Sequence, residues 1–346
     1  MLYKPVLCTV LIIVCCRTVS SSCVNSNSTN EIQCTSLEDL LALNNHANLT
    51  KLNLSNPENR ANQVLVNDAF GGLVTLEKLT ISKLVNNLEQ FAFRGLSNLT
   101  ELMLIENPLQ TIPEGMFNAL PKLKALRITH SGIKTISNKV FRNTNIEILD
   151  LSDNEISTIE DCAFCDMKNI YYIHLQTNKL TSFEPDILLG PSPIKGIALY
   201  DNKISTIRPF SMMPALVGLA ISNNTINKIE DNSFANCSNF QLLDVSDNRL
   251  EDIPAIIFPT VQPTEPVFLI LHNNNFKCIS PEVRSKIKKL RRITIDGNPW
   301  ECQCIYSVIS WARGLKGFVA CEHFGDLCTV TCSDGNKINN ITVYQY

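Results

Sequence analysis

Charge is sparse in this chain: Lys, Arg, Asp and Glu supply 18% of its 346 residues and sum to a formal -3. So weak a balance gives no electrostatic ground for a nucleic-acid partner. Beyond the first residues, no apolar run approaches the ~18 residues that a membrane-crossing helix needs. The tail CSDGNKINNITVYQY (332–346) is polar, so neither a transmembrane anchor nor a glycolipid-attachment signal is expected. Catalytic groupings are missing as well. His46, His130, His174, His272 and His323 are scattered, with no nucleophile elbow, zinc-spaced histidine pair or phosphate loop. The nearest acid–base group is His174 with Asp150 and Tyr172. CAFC (162–165) has CxxC spacing but lacks the α/β pattern that surrounds a redox motif. No enzymatic activity, cofactor or metal site is expected.

The beginning of the chain is informative. One lysine, an apolar stretch from Val6 to Cys16 and then small polar residues read as a secretory signal peptide over 1–22, cleaved between Ser20 and Ser22. That stretch is too short to cross a bilayer. Fourteen cysteines less Cys8, Cys15 and Cys16 leave eleven. An odd count in an exported chain means one free thiol or one intermolecular bond. N-x-S/T sequons begin at Asn27, Asn48, Asn53, Asn98, Asn223, Asn236 and Asn340, and glycosylation is expected at several of them. The mature protein is expected outside the cell.

A phrase recurs along the chain: apolar-x-x-apolar-x-apolar-x-x-Asn. It reads LTELMLIEN (99–107), IEILDLSDN (146–154), IYYIHLQTN (170–178), IKGIALYDN (194–202) and LVGLAISNN (216–224). It continues as FQLLDVSDN (240–248), PVFLILHNN (266–274) and LRRITIDGN (290–298), with weaker copies at 49–57, 76–84 and 123–131. Eleven copies spaced 22 to 27 residues apart imply stacked supersecondary units. The apolar residues at positions four and six alternate inward on a short strand. The Asn at position nine satisfies backbone groups where the chain leaves the sheet. Pro57, Leu84 and Ser131 interrupt that Asn series, so a less regular N-terminal third is expected. Between strands, Phe70, Phe93, Phe117, Phe141, Phe164, Phe210 and Phe234 recur and predict a hydrophobic spine opposite the sheet. The connections carry no sustained helical period, so turns and single helical turns are expected there.

On these repeats the chain resembles extracellular leucine-rich-repeat proteins over essentially all of its mature length. Among them it is similar to small secreted or Toll-ectodomain-like insect proteins. NPWECQC (298–304), Trp311, Cys321, Cys328 and Cys332 look like that family's C-terminal cysteine cap, and Cys23 with Cys34 resembles a reduced N-terminal cap. The resemblance implies an α/β leucine-rich-repeat solenoid, curved, with the parallel sheet concave and turns and short helical segments convex. The expected organisation is an N-terminal cap at 23–48, the solenoid at 49–298, and a cap with a short tail at 299–346. Cys23–Cys34 is the expected N-terminal bridge. Cys302 and Cys304 are each expected to pair among Cys321, Cys328 and Cys332. Cys278 lies one repeat before Cys302, within disulfide reach at a rung spacing of about 4.8 Å, and so competes for a partner. Cys237 takes an apolar slot and is expected to be reduced core, while Cys162 and Cys165 can bridge locally. The resemblance also implies recognition, adhesion, matrix or defence roles. Neither the membrane span and signalling domain of Toll receptors nor a heptad zipper after Cys332 is expected.

Alternation predicts that positions three, five and seven face out of the concave sheet. Gly196, Ala198, Gly218 and Ala220 predict a low floor between taller aromatic edges. Asp150, Tyr172, His174, Tyr200, Asp244, Phe268 and Ile270 are the candidate partner-binding residues, with the two carboxylates setting polarity. The expected partner is an extracellular protein or glycan. RSKIKKLRR (284–292) carries six basic residues and is a candidate for an anionic glycan or acidic protein, against the plain alternative of a solvated convex face. These features suggest a secreted, non-catalytic recognition module in innate immunity or extracellular signalling. A matrix or adhesion component and a secreted enzyme inhibitor are the alternatives.

Overall fold

Alternate apolar residues within each repeat produce one short strand per repeat. Residues 23–25, 30–41, 48–56, 61–185, 192–210, 212–258, 267–321, 328–333, 335 and 337–341 are described by the computed structural model; the expected signal peptide lies outside them. Eleven strands, from Lys51–Ser55 to Leu290–Thr294, correspond to the eleven phrases. With Val24–Asn25, Glu31–Cys34 and Phe318–Ala320 they form one fourteen-stranded sheet, ordered along the chain. All neighbours are parallel except the first two. The register keeps phrase position matched to phrase position: Ile148 faces Tyr172, Leu149 faces Ile173, and Asp150 faces His174. This architecture is a leucine-rich-repeat solenoid.

Burial follows the pattern. Leu102, Leu104, Leu126, Ile128, Leu149, Leu151, Ile173 and Leu175 are all fully buried. Opposite them, the phenylalanines stack in pairs: Phe70 on Phe93 at 6.0 Å, Phe117 on Phe141 at 6.1 Å, Phe141 on Phe164 at 5.9 Å. Phe183, outside the expected series, joins by stacking 6.3 Å from Phe210. The connections are turns, single 3-10 turns such as Met116–Ala119, and paired two- to four-residue strands such as Thr135–Ile136 with Thr158–Ile159.

The Asn ladder ties each rung to the one before it. Asn178 Oδ1 accepts from the Ile156 amide of the preceding rung at 2.9 Å. Its Nδ2 donates to Leu151 O of that rung and to Leu175 O and Gln176 O of its own, at 3.0, 3.0 and 3.2 Å. Asn154, Asn202, Asn224, Asn248, Asn274 and Asn298 repeat the arrangement and are at least nine-tenths buried. Each amide thereby replaces ladder bonds that the turning backbone gives up.

The expected irregularity of the N-terminal third is not found. Its strands Lys51–Ser55, Lys78–Ser82, Glu101–Ile105 and Ala125–Thr129 each run five residues, whereas the five rungs from Ile148–Asp150 to Leu242–Asp244 run three. Where Asn is missing, the backbone substitutes. Leu84 O accepts from the Asn62 and Gln63 amides of the preceding rung at 3.2 and 3.1 Å, and Ser131 O accepts from the Leu109 amide at 2.9 Å.

The ends are held by disulfides. Cys23–Cys34 closes next to the first strands, and Cys162–Cys165 bridges locally. Cys302 bonds Cys332 as expected, but Cys304 bonds Cys278 rather than a cysteine of the C-terminal group. The helix Cys302–Gly314 carries both cysteines, two residues apart, so they point in different directions, and Cys304 meets the preceding rung. Cys321 is also disulfide-bonded, and the side chain of Cys328 lies outside the described residues. Cys237 is free and fully buried, its thiol pushed up to about 12 by desolvation.

Candidate partner-binding face

Side-chain alternation and the shared register set out rows across the sheet. Position three presents Ile148, Tyr172, Gly196, Gly218, Leu242 and Phe268. Position five presents Asp150, His174, Ala198, Ala220, Asp244 and Ile270. Tyr172 is 41% exposed and Phe268 37%, large values for aromatics on a rigid sheet. The seven candidate residues therefore lie on five of six consecutive rungs; six occupy these two rows, and Tyr200 follows at position seven.

The glycine floor differs from the expected trough. A Cβ on Gly196 would lie 3.0 Å from Cδ1 of Tyr172, and one on Gly218 would lie 3.3 Å from Cβ of Leu242. The absent side chains let Tyr172 lean over the next rung, so its ring face forms part of the surface. Only Ala198 and Ala220 leave low ground beside them.

Position seven reaches the surface on only some of these rungs, where Gln176, Tyr200 and Ser222 are half-buried. Ser152, Ser246 and His272 are buried. The short strands end at position five, and local hydrogen bonds turn the next residues inward. Asp150 Oδ1 accepts from the Ser152 amide at 3.1 Å and its hydroxyl at 2.7 Å; Asp244 does the same with Ser246 at 3.1 and 2.7 Å. These two carboxylates are thus held in place as well as polar. His272 Nδ1 lies 3.0 Å from Thr294 Oγ1, and its Nε2 lies 3.5 Å from Asp247. Tyr200 has its phenol pKa raised by burial and then by Asp201, Asp153 and Asp150, which places it against an acidic edge.

That edge is built from position eight, where Lys83, Glu106, His130, Asp153, Thr177, Asp201, Asn223, Asp247, Asn273 and Gly297 all have positive φ, from 48 to 64°. A left-handed residue at these ten turns was not anticipated, although Asp, Asn and Gly at most of these positions were the visible signal. At 297 glycine is required also by space, because a Cβ would lie 1.9 Å from Asn273 Oδ1.

Asn223 donates through Nδ2 to Asp201 Oδ1, so its amide is engaged on this edge. Asn48 and Asn236 are exposed, Asn53 is half-buried on its strand, and Asn98 bonds Val74 O and Lys122. Asn27 and the Asn340 side chain lie outside the described residues. The basic run is not one convex face. Arg292 pairs in register with Phe268 on the sheet, Arg291 lies over the Phe318 ring at 5.7 Å, and Arg284 and Lys288 line a cleft beside Trp311. His174 faces Asp150 across the sheet next to Tyr172, as their positions implied.

The sequence matches the family described as BspA type leucine rich repeat region, in six copies over 35–171, 103–212 and 209–306. The chain belongs to this family. It is 31% identical to osteomodulin of Bos taurus over 48% of this chain and 40% of that protein. It is 26% identical to transforming growth factor beta activator LRRC33 of Danio rerio over 76% of this chain and 36% of that protein. The chain thus spans less than half the length of these two relatives. Among solved structures, the TLR13–ssRNA13 complex matches with a TM-score of 0.53 at 22% identity, covering 79% of this chain and 47% of that one. That likeness concerns the fold. Among the described residues, no helix is long and apolar enough to cross a membrane.

Proposed function

We propose that this chain is a secreted, non-catalytic recognition protein whose concave sheet binds an extracellular protein partner, in innate immunity or extracellular signalling. The observation that carries this reading is the row of exposed Tyr172 and Phe268 with half-buried Leu242 on strands held rigid by buried Asn amides. Interfaces concentrate their energy in such fixed aromatic anchors. His174, Tyr200 and Ile270 flank the row, and Asp150 and Asp244 supply oriented acceptors at either end. A nucleic acid fits poorly beside Asp150, Asp153, Asp201, Asp244 and Asp247, because a polyanion binds by neutralising its phosphates with cations. Acidity disfavours a sulfated glycan on this face for the same reason.

Bridged cysteines at both ends favour an oxidising compartment. Glycans are expected at Asn48 and Asn236, which are exposed. The test is affinity capture from extracellular fluid, comparing wild type with Tyr172→Ala/Tyr200→Ala/Phe268→Ala. A partner held by wild type and lost by the variant supports the reading; unchanged capture rejects it.

A further inference from the structure

A second site lies away from the concave face. The helix Pro281–Lys286, on the convex side of the last full rung, meets the C-terminal helix Cys302–Gly314 across an open cleft of about 440 Å³. Pro281, Arg284, Ile287 and Lys288 line one wall, and Trp311 and Leu315 the other. The walls are fastened to each other: Cys278, just before the first helix, is bonded to Cys304 within the second, with Cα atoms 5.4 Å apart. Pro281 occupies the first helical turn, and the Ser280 hydroxyl accepts from the Val283 amide at 3.3 Å, fixing where that helix starts. The cleft is therefore preorganised.

Some cations of this molecule sit against carboxylates on a neighbouring rung, as Lys78 with Glu101 at 2.7 Å, Lys124 with Glu147 at 2.8 Å and Lys179 with Glu155 at 3.0 Å. Arg284 and Lys288 take part in no such pair among the described residues, and Arg284 Nε is buried without an acceptor. A buried donor left unmet is costly, and an incoming anion relieves it. The remaining lining is mostly carbon, which suits an apolar side chain and gives a polysaccharide few groups to hydrogen-bond.

We propose that this cleft binds an acidic–apolar segment of a protein partner, with an apolar side chain between Trp311 and Ile287 and a carboxylate at Arg284 and Lys288. The site is independent of the concave-face reading and can fail or succeed without it. Charge complementarity selects the occupant. The indole adds a cation-tolerant aromatic wall against which a leucine or phenylalanine can pack.

Trp311 also reports on the site, because Trp300, the other tryptophan of the two, is fully buried against Phe276. The mature protein is titrated with a capped hexapeptide, Asp-Phe-Asp-Leu-Glu-Phe, while tryptophan fluorescence is followed. A saturable change is expected, absent with the hexapeptide in which lysine replaces each acid. Arg284→Gln/Lys288→Gln should weaken binding at least about ten-fold, as loss of charge-assisted hydrogen bonds implies. Trp311→Phe should abolish the signal while calorimetry still detects binding. If the double variant loses its native circular dichroism, the exposed Lys288→Glu decides, with several-fold weaker binding expected. Failure to saturate, unchanged affinity in the variants, or binding of a heparin hexasaccharide with none of the peptide would each overturn the proposal.

Discussion

The first four rungs and the next six bury the same positions but expose different chemistry. In the first, position three is Lys51, Lys78, Glu101 and Ala125, and Lys78 and Glu101 neutralise one another across neighbouring strands. In the second, position three is Ile148, Tyr172, Gly196, Gly218, Leu242 and Phe268, and the acids alongside are held by serine, not by lysine or arginine. One region satisfies its own surface, while the other leaves apolar area in water that a partner can cover. A regular core therefore says nothing about where a solenoid binds. The outward rows do.

The largest effect should come from the amide ladder common to both regions. Asn178→Ala removes one acceptor and three donated bonds at a buried site, and should cost about 3 kcal/mol or more, seen as a lower urea midpoint. Ser131→Ala, in the region where the ladder is already replaced, loses only the bond to Thr129 O and should cost about 1 kcal/mol. Equal losses at both positions would erase the distinction.

Next in size are the anchors. Truncating the strongest of Tyr172, Tyr200 and Phe268 should cost at least about 2 kcal/mol of binding, roughly thirty-fold in dissociation constant. The folding midpoint should move little, because Tyr172 and Phe268 project outward. Smaller again is Cys237→Ser, which exchanges a thiol 3.6 Å from Phe210 O for a hydroxyl in an apolar slot and should cost about 1–2 kcal/mol. The native thiol should resist alkylation at neutral pH and react only on unfolding. Its raised pKa makes the neutral form the folded one, so its contribution is complete below the ordinary thiol value of 9.0 and disappears as pH climbs toward about 12. Least of all, a double-mutant cycle on Lys78 and Glu101 should give under about 1 kcal/mol, vanishing in high salt, because Lys78 is half exposed.

Much of this was legible in the sequence. Period and phrase fixed the rungs because a buried leucine has nowhere else to point, and Asn at position nine announced its own hydrogen bonds. What escaped depended on neighbours in space. Ser152 looked outward by alternation, but Asp150 captures it after the strand ends. Gly196 looked like open floor, but the space it leaves is taken by Tyr172 from the rung before. Cys304 looked like a cap cysteine, but helix direction sends it back to Cys278. Loss of Asn at 84 and 131 looked disruptive, but the Leu84 and Ser131 carbonyls accept the amides of the rung before.

The most direct test of the central claim measures one captured partner's dissociation constant against three proteins: wild type, the triple aromatic variant, and Lys78→Ala/Glu101→Ala from the self-satisfied region. The account predicts roughly thirty-fold or greater loss for the aromatic variant and less than about two-fold change for the charge-pair variant, with all three equally folded. Equal losses in both, or loss only in the charge-pair variant, would contradict it.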